Sequence, residues 1–447
     1  MSDSRPIDVA VLGAGPAGAL IAVALRRLGF EPTIYAAPRP FKSVEGVSAR
    51  VLDALQSAGL NKAAVCASAA VTRSVAWNGD HSAANTEHLI ERSLFDIALQ
   101  QDLKQAGVQC VSARVSALVR SPSGWLIETD SSKPSTLAQF IVDARGRMAP
   151  KASEQRVRGP ESIAFTQRWS GPPGEPRVFA GSHPFGWVWL AQQETGERYL
   201  QLVVDAERYF PPRAQLSAWL SAQFARVDAL DELMQGASPV AEPVARGCTP
   251  ILQAPLNEAA YLRVGDAAMA VDPLSGNGIF QSLSSASIVA AVMNTVVNHP
   301  QNADLAIAFY RHRVQHIFER FARIGRDFYR MEQRYQDELF WQRRQCWPDG
   351  EPAHGDITPA VIGVESRPVV DSGRVRLADV VVTTDQPLGI WQVAGIELAP
   401  LVEAGLLSQP VTAQWLSERG VHTPDAQVQL IGWSRRFQKS AGMGRET

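Results

Sequence analysis

Gly13-Ala14-Gly15-Pro16-Ala17-Gly18, near the start of the chain, has the spacing of a turn that cradles phosphate. The first glycine allows the tight turn, the second a close backbone approach to a pyrophosphate, and the third close helix–strand packing. Pro16 suits the first helical position, where its missing N–H costs nothing, and Ala17 belongs to the same cofactor-binding turn. A second stretch, Tyr261 to Ala286, carries Asp266 at a strand end and Pro273, Gly276, Asn277 and Gly278 in a loop before a helix that begins near Ile279. A carboxylate there can accept hydrogen bonds from a polyol. The helix start offers free N–H groups and a partial positive charge to an anionic ring edge. Glycines let a planar ring lie on the backbone. Either stretch alone is ordinary in an α/β protein. Together they predict a seat for FAD, with the pyrophosphate at the first turn and the ribityl chain and flavin ring at the second.

The elements that must hold these turns follow from pattern. Asp8 to Leu12 reads as a strand, the next helix runs to Leu28 and stops at Gly29, and Pro32 to Tyr35 reads as the second strand. The acid usually found there for the adenosine ribose is replaced by Ala36, which predicts weak FAD retention. Ser48 is placed to cap a helix over Ala49 to Ala58. Val71 to Trp77 alternates as a strand, Leu94 to Ala106 reads as an amphipathic helix, and Val108 to Val119 and Trp125 to Thr129 read as strands of a three-stranded meander. Ile163 to Trp169, Phe185 to Ala191 and Tyr199 to Val204 read as antiparallel strands. Trp187 and Trp189 share one face, either packed in a core or walling an aromatic substrate chamber. Pro211 to Gln235 reads as one helix. Phe309 to Trp347 reads as a single long one with an apolar stripe over Ile317, Phe321, Ile324, Phe328, Met331 and Tyr335.

The 447 residues carry 45% hydrophobic and 20% charged residues, room for two or three buried cores. A net charge of -2 argues against nucleic-acid binding. Cys66, Cys110, Cys248 and Cys346 have no metal-ligand spacing, so no metal is expected. The N-terminus lacks a signal-peptide pattern and no stretch reaches the length of a membrane span, so a soluble cytoplasmic protein with no membrane partner is expected.

The two turns, with Ile141-Val142-Asp143-Ala144-Arg145-Gly146-Arg147 between them, resemble the para-hydroxybenzoate-hydroxylase-type flavoproteins. That superfamily includes aromatic monooxygenases, halogenases and geranylgeranyl-reductase-like enzymes. The resemblance covers about three quarters of the chain and implies an α/β fold. In it, a Rossmann-like FAD-binding domain (1–75, 88–160 and 250–345) joins an antiparallel-sheet substrate domain (76–87 and 161–249). A small C-terminal α/β module (358–436) and a disordered tail (437–447) complete the division. Glu91-Arg92-Ser93-Leu94-Phe95-Asp96 is similar to a family segment whose arginine, here Arg92, lies by the FAD. Glu45-Gly46-Val47-Ser48 partly resembles a halogenase loop that passes the flavin. Gly186 to Ala191 resembles the halogenase W-x-W-x-I-P element without its Ile-Pro. The halogenase lysine falls at Thr72, and the adjacent Arg73 reads as a solvated strand charge.

One dinucleotide turn leaves no seat for a second nucleotide, so NAD(P)H is expected only as a transient reductant, acting directly or through a partner reductase. No catalytic acid or base is assigned, and His183 reads as structural. The mixture is similar to the maturation monooxygenases that oxidise a tryptophan of a partner polypeptide in tryptophylquinone biogenesis, such as that of quinohaemoprotein amine dehydrogenase. The expected function is therefore an FAD-dependent monooxygenase acting on an electron-rich aromatic. A small-molecule aromatic hydroxylase, a halogenase, a prenyl or olefin reductase and a non-catalytic flavin-binding assembly protein stay open.

Overall fold

The computed structural model describes residues 8–38, 42–131, 135–151, 156–253, 256–258, 260–353 and 360–440, which separate into two compact units. The first takes in the chain to Ala290 and Tyr310–Ala353. Its organising sheet has six strands in the order 256–258, 261–263, 140–143, 8–12, 31–35 and 109–111. All neighbours run parallel except the antiparallel edge strand 256–258. Val9 to Leu12, Ile141 and Val142 are buried. Continuous apolar runs of this kind suit a sheet covered on both faces. Pro16–Arg27 follows the first strand, with Gly15 as its extended N-cap. Strands 8–12, 140–143 and 261–263 end side by side, so Gly13, Ala144 and Gly265 leave the same edge of the sheet. Ligands of open α/β sheets collect outside such carboxyl ends.

The second sheet has nine strands. Ser162–Ser170, Glu197–Asp205, Gly186–Gln192 and Arg177–His183 are successive antiparallel neighbours, and Val71–Trp77 joins parallel to Arg177–His183. Asp80–Glu91 and Val44–Val47 continue the sheet, which therefore runs past the 76–87 limit read from the sequence. Arg177–His183 escaped that reading because six of its seven residues are buried and no alternation shows. Phe165, Val188, Leu190 and Leu202 pack one face against Leu216, Leu220 and Phe224 of helix Arg213–Phe224. That helix ends earlier than expected, giving way to a 3-10 turn, Asp228–Leu230, and a short helix, Asp231–Met234.

Two further expectations are corrected. Helix Gly278–Asn298 is long and apolar enough to cross a membrane, and most of it is buried inside the fold, as in a core helix. The long helix is two, Ala303–Arg330 and Leu339–Cys346. The break falls where the fully buried Glu332 accepts the Asn78 N–H (2.7 Å) and is gripped by Arg334 (2.8 Å), contacts that a continuing helix would not allow. Phe328 and Met331 of the expected apolar stripe are accordingly exposed.

The second unit joins 291–309 to the C-terminal residues, so the module is larger than 358–436. Strands Val361–Asp371, Arg374–Thr383 and Gln386–Ile390 form a meander. Thr295 accepts the Val375 N–H (2.7 Å), tying the helix end to it. Helices Leu398–Glu403, Ala413–Ser417 and Pro424–Ser440 bury Leu398, Leu416, Leu430 and Trp433 with Val381. Phe437 belongs to the same core, so the segment read as a disordered tail begins as helix. Residues 441–447 of it, and 354–359 of the preceding linker, lie outside the described residues.

Candidate active site

A single cavity of about 1460 Å³ opens along the carboxyl edge of the parallel sheet and extends over one face of the antiparallel sheet. Gly13, Gly15, Pro16 and Ala17 line it together with Asp266, Pro273, Gly276, Gly278 and Ile279. The two glycine turns thus face one space. Glu45, Gly46, Val47, Arg92, Trp187 and Trp189 line it as well. Two expected residues do not. Gly18 packs behind the turn, where a Cβ would collide with the Gly13 carbonyl oxygen. The Asn277 side chain donates to the Ser275 carbonyl (2.6 Å), which ties it into its own loop.

The glycines test whether a flavin nucleotide fits. Gly13 has φ +107, and a Cβ there would stand 2.6 Å from the Ala144 oxygen, so only glycine makes the turn. Ideal Cβ positions at Gly15, Gly276 and Gly278 meet nothing within 4 Å. Those glycines are therefore not required by the protein's own packing, and they leave backbone bare toward the cavity. Gly276 adopts φ +62, and helix Gly278–Asn298 starts beside it; the first N–H groups of a helix have no intrahelical partner. An anionic ring edge suits that end of a helix.

Charge is arranged around this floor. Arg92, 5% exposed, bonds both Glu45 oxygens (3.0 and 3.1 Å) and Asp96 (3.0 Å). Burial opposes its charge, but the two carboxylates hold its pKa above the ordinary arginine value. Arg147 donates to the Thr249 carbonyl (2.7 Å) and lies 3.5 Å from Asp266. Burial raises the Asp266 carboxyl above the usual carboxylate value, and Arg147 opposes the rise. At the end of the middle strand, the fully buried Asp143 accepts Arg145 (2.7 Å) and the Tyr261 hydroxyl (2.6 Å), fixing the 143–147 turn. Ala36 lines the cavity and brings no carboxylate. Ser48 sits at the N-cap position without a side-chain bond.

The antiparallel sheet supplies the other wall. Trp187 belongs to a buried cluster, and Trp189, Trp77 and Leu274, each partly buried, pack against that cluster. Trp187 and Trp189 both line the cavity, so the core and chamber readings hold together. Arg73 corrects its reading as a solvated charge. It pairs in register with Val178, which places it on the tryptophan face, and it forms a 2.7 Å ion pair with Glu87 inside the cavity. Thr72 points to the opposite face and is exposed there. Sequence reasoning also missed Glu87, Arg147 and the Tyr329–Asp272 contact. For Arg73 the signal was the alternation itself, counted from Trp77. His183 is fully buried, accepts the Phe185 N–H (3.1 Å) and stays outside the cavity lining, as a structural residue does.

No protein-family model matches the chain. The structure of peptidyl tryptophan dihydroxylase QhpG, essential for tryptophylquinone cofactor biogenesis, is 41% identical. It superposes with a TM-score of 0.80 over 97% of this chain and 99% of that one. The chain belongs to the QhpG family. The flavin-dependent halogenase CmlS shares the fold, with a TM-score of 0.74 over 96% of this chain and 95% of its own at 17% identity. Tryptophan 2-halogenase of Chondromyces crocatus is 24% identical over 370 residues, 75% of this chain and 70% of the relative. As a member of the QhpG family the chain is an FAD-dependent monooxygenase, as its glycine turns and the resemblance implied.

Proposed function

We propose that this chain hydroxylates a tryptophan side chain within a partner polypeptide during biogenesis of a tryptophylquinone cofactor. The observation that carries the reading is full-length identity of 41% to an enzyme that acts on peptidyl tryptophan. The cavity supports it. Small-molecule sites run to about 300–1,000 Å³, and 1460 Å³ in an open trough leaves room for an aromatic side chain beside a nucleotide cofactor.

In this reading Gly13, Gly15, Pro16 and Ala17 hold the pyrophosphate. Asp266 accepts the ribityl hydroxyls, while Gly276, Gly278 and Ile279 carry the ring edge. Glu45, Gly46 and Val47 pass alongside, and Arg92 pins that loop through Glu45. FAD, reduced by NAD(P)H directly or through a reductase, supplies the activation of dioxygen. The chain's own residues orient the substrate. Trp187 and Trp189 offer rings against which an indole packs edge-to-face or offset, and the apolar wall keeps water from the reacting edge. Among the described residues no lysine lines the cavity, which leaves the halogenase reading without the lysine that the resemblance calls for.

The test is incubation of the purified chain with NAD(P)H, labelled dioxygen and a tryptophan-containing peptide of the partner. A gain of two labelled oxygen atoms on the tryptophan is expected. No oxygen gain overturns the reading. A halide-dependent product would turn it toward a halogenase, reduction without oxygen uptake toward an olefin reductase, and failure to take up FAD toward an assembly protein.

A further inference from the structure

Arg73 and Glu87 form a part-buried ion pair that neither the fold nor the flavin seat accounts for. Both line the cavity, on the same sheet face as Trp187 and Trp189. Glu87 is 8% exposed, and its Oε1 accepts Arg73 Nη1 at 2.7 Å. Neither partner is saturated. Among the described residues Arg73 Nε and Glu87 Oε2 have no hydrogen-bond partner. A pair kept only for stability is normally satisfied on every side, because each buried unpaired polar atom is costly. Its surroundings are specific too. Oε2 packs on Gly46, where a Cβ would collide with it, and the Trp189 ring would stand 3.6 Å from that same Cβ, so carboxylate and indole share one side of the glycine. The pair therefore sits between the aromatic wall and the strand that runs beside the flavin seat.

An arginine joined to a glutamate is neutral as a unit, so it does not draw an anion. It presents donors from the guanidinium next to an acceptor from the carboxylate. The matching ligand group both accepts and donates, as a phenolic hydroxyl does. An unmodified indole edge offers C–H groups there and leaves the pair to water. A hydroxylated indole offers an oxygen to Arg73 and a proton to Glu87.

We propose that the Arg73–Glu87 pair is the subsite that holds the hydroxyl installed by the first oxygenation, so that the same ring is kept for the second. The proposal rests on the tryptophan-hydroxylase reading. In each round a ring C–H becomes C–O–H. One atom of dioxygen enters the ring and the other leaves as water, with two electrons from NAD(P)H and one proton from solvent. With the first hydroxyl anchored at the pair, the ring cannot rotate freely, and the adjoining carbon is the one presented next.

The experiment compares two peptides, one carrying tryptophan and one carrying a monohydroxylated tryptophan at the same place. Their binding to the FAD-loaded, oxidised protein is measured by fluorescence anisotropy. The hydroxylated peptide is expected to bind about tenfold more tightly, the factor that one well-formed hydrogen bond carries. Arg73→Met, Glu87→Gln and the double variant are expected to bring the ratio near one. The double variant guards against a folding defect, since it leaves no unpaired buried charge. In turnover the variants are expected to shift product from doubly toward singly oxygenated peptide. Wild-type protein that adds two oxygens while the variants move neither ratio sinks the role of the pair alone. Wild-type protein that adds no oxygen to either peptide sinks the hydroxylase reading and the pair's role with it.

Discussion

The Tyr329 hydroxyl lies 3.1 and 3.0 Å from the two carboxylate oxygens of Asp272, which also accepts the Leu274 N–H at 2.9 Å. The last turn of helix Ala303–Arg330 is thereby fastened to the loop that carries Pro273 and Gly276. Burial, then the Asp272 charge, push the tyrosine hydroxyl well above its ordinary pKa, so it remains a donor. Tyr329→Phe leaves a buried carboxylate short of one partner. A loss of about 1–3 kcal/mol is expected, together with weaker FAD binding through the loosened loop. Thermal melts and FAD titration check both, and a variant that matches wild type in each refutes the coupling.

Gly15 and Gly18 should behave oppositely. A Cβ at Gly15 meets nothing, whereas one at Gly18 strikes the Gly13 oxygen. Gly18→Ala is expected to destabilise the cofactor-free protein by about 1–3 kcal/mol, as overpacking does. Gly15→Ala is expected to leave that melting temperature unchanged and to lower FAD affinity, since its methyl group stands toward the cavity. Differential scanning fluorimetry with and without FAD separates the two, and equal effects would contradict the assignment.

Ala36 lines the cavity at the end of the second strand, the position where the resemblance places an acid for the adenosine ribose. Ala36→Asp is expected to slow FAD release about fivefold, the effect of about 1 kcal/mol from one new hydrogen bond. Stopped-flow loss of flavin into an apoprotein trap measures it, and a release rate equal to or faster than wild type would count against this seat.

His183 sets an acid limit. Burial, then the Arg226 guanidinium, push its pKa down to about 4 from 6.5. The unfolded chain binds a proton near 6.5 while the folded one resists until about 4. Stability is therefore full above 6.5 and is lost as the pH falls between those values. At pH 5 the loss is about 2 kcal/mol. His183→Asn, which keeps an acceptor for the Phe185 N–H, is expected to flatten the pH 7-to-5 drop in denaturant midpoint. An unchanged slope would reject the assignment.

Local chemistry is what the chain spells out in its own order. Gly13, Gly15 and Gly18 declare a turn because backbone freedom and close approach are properties of neighbouring residues. Asp266 and Gly276 to Ile279 declare a helix start for the same reason; together the two turns predicted FAD, and with the Arg92 segment they carried the family resemblance that implied a monooxygenase. Tertiary structure decided the rest, because it depends on which distant strands lie side by side. Strand 140–143 stands between 8–12 and 261–263, and that adjacency alone brings the two turns to one cavity. Pairing with Val178 turns Arg73 inward to Glu87 and leaves Thr72 outside. Glu332, fully buried by contact with Asn78, ends a helix that its own periodicity would have continued, since a buried carboxylate must find its donors wherever the fold offers them.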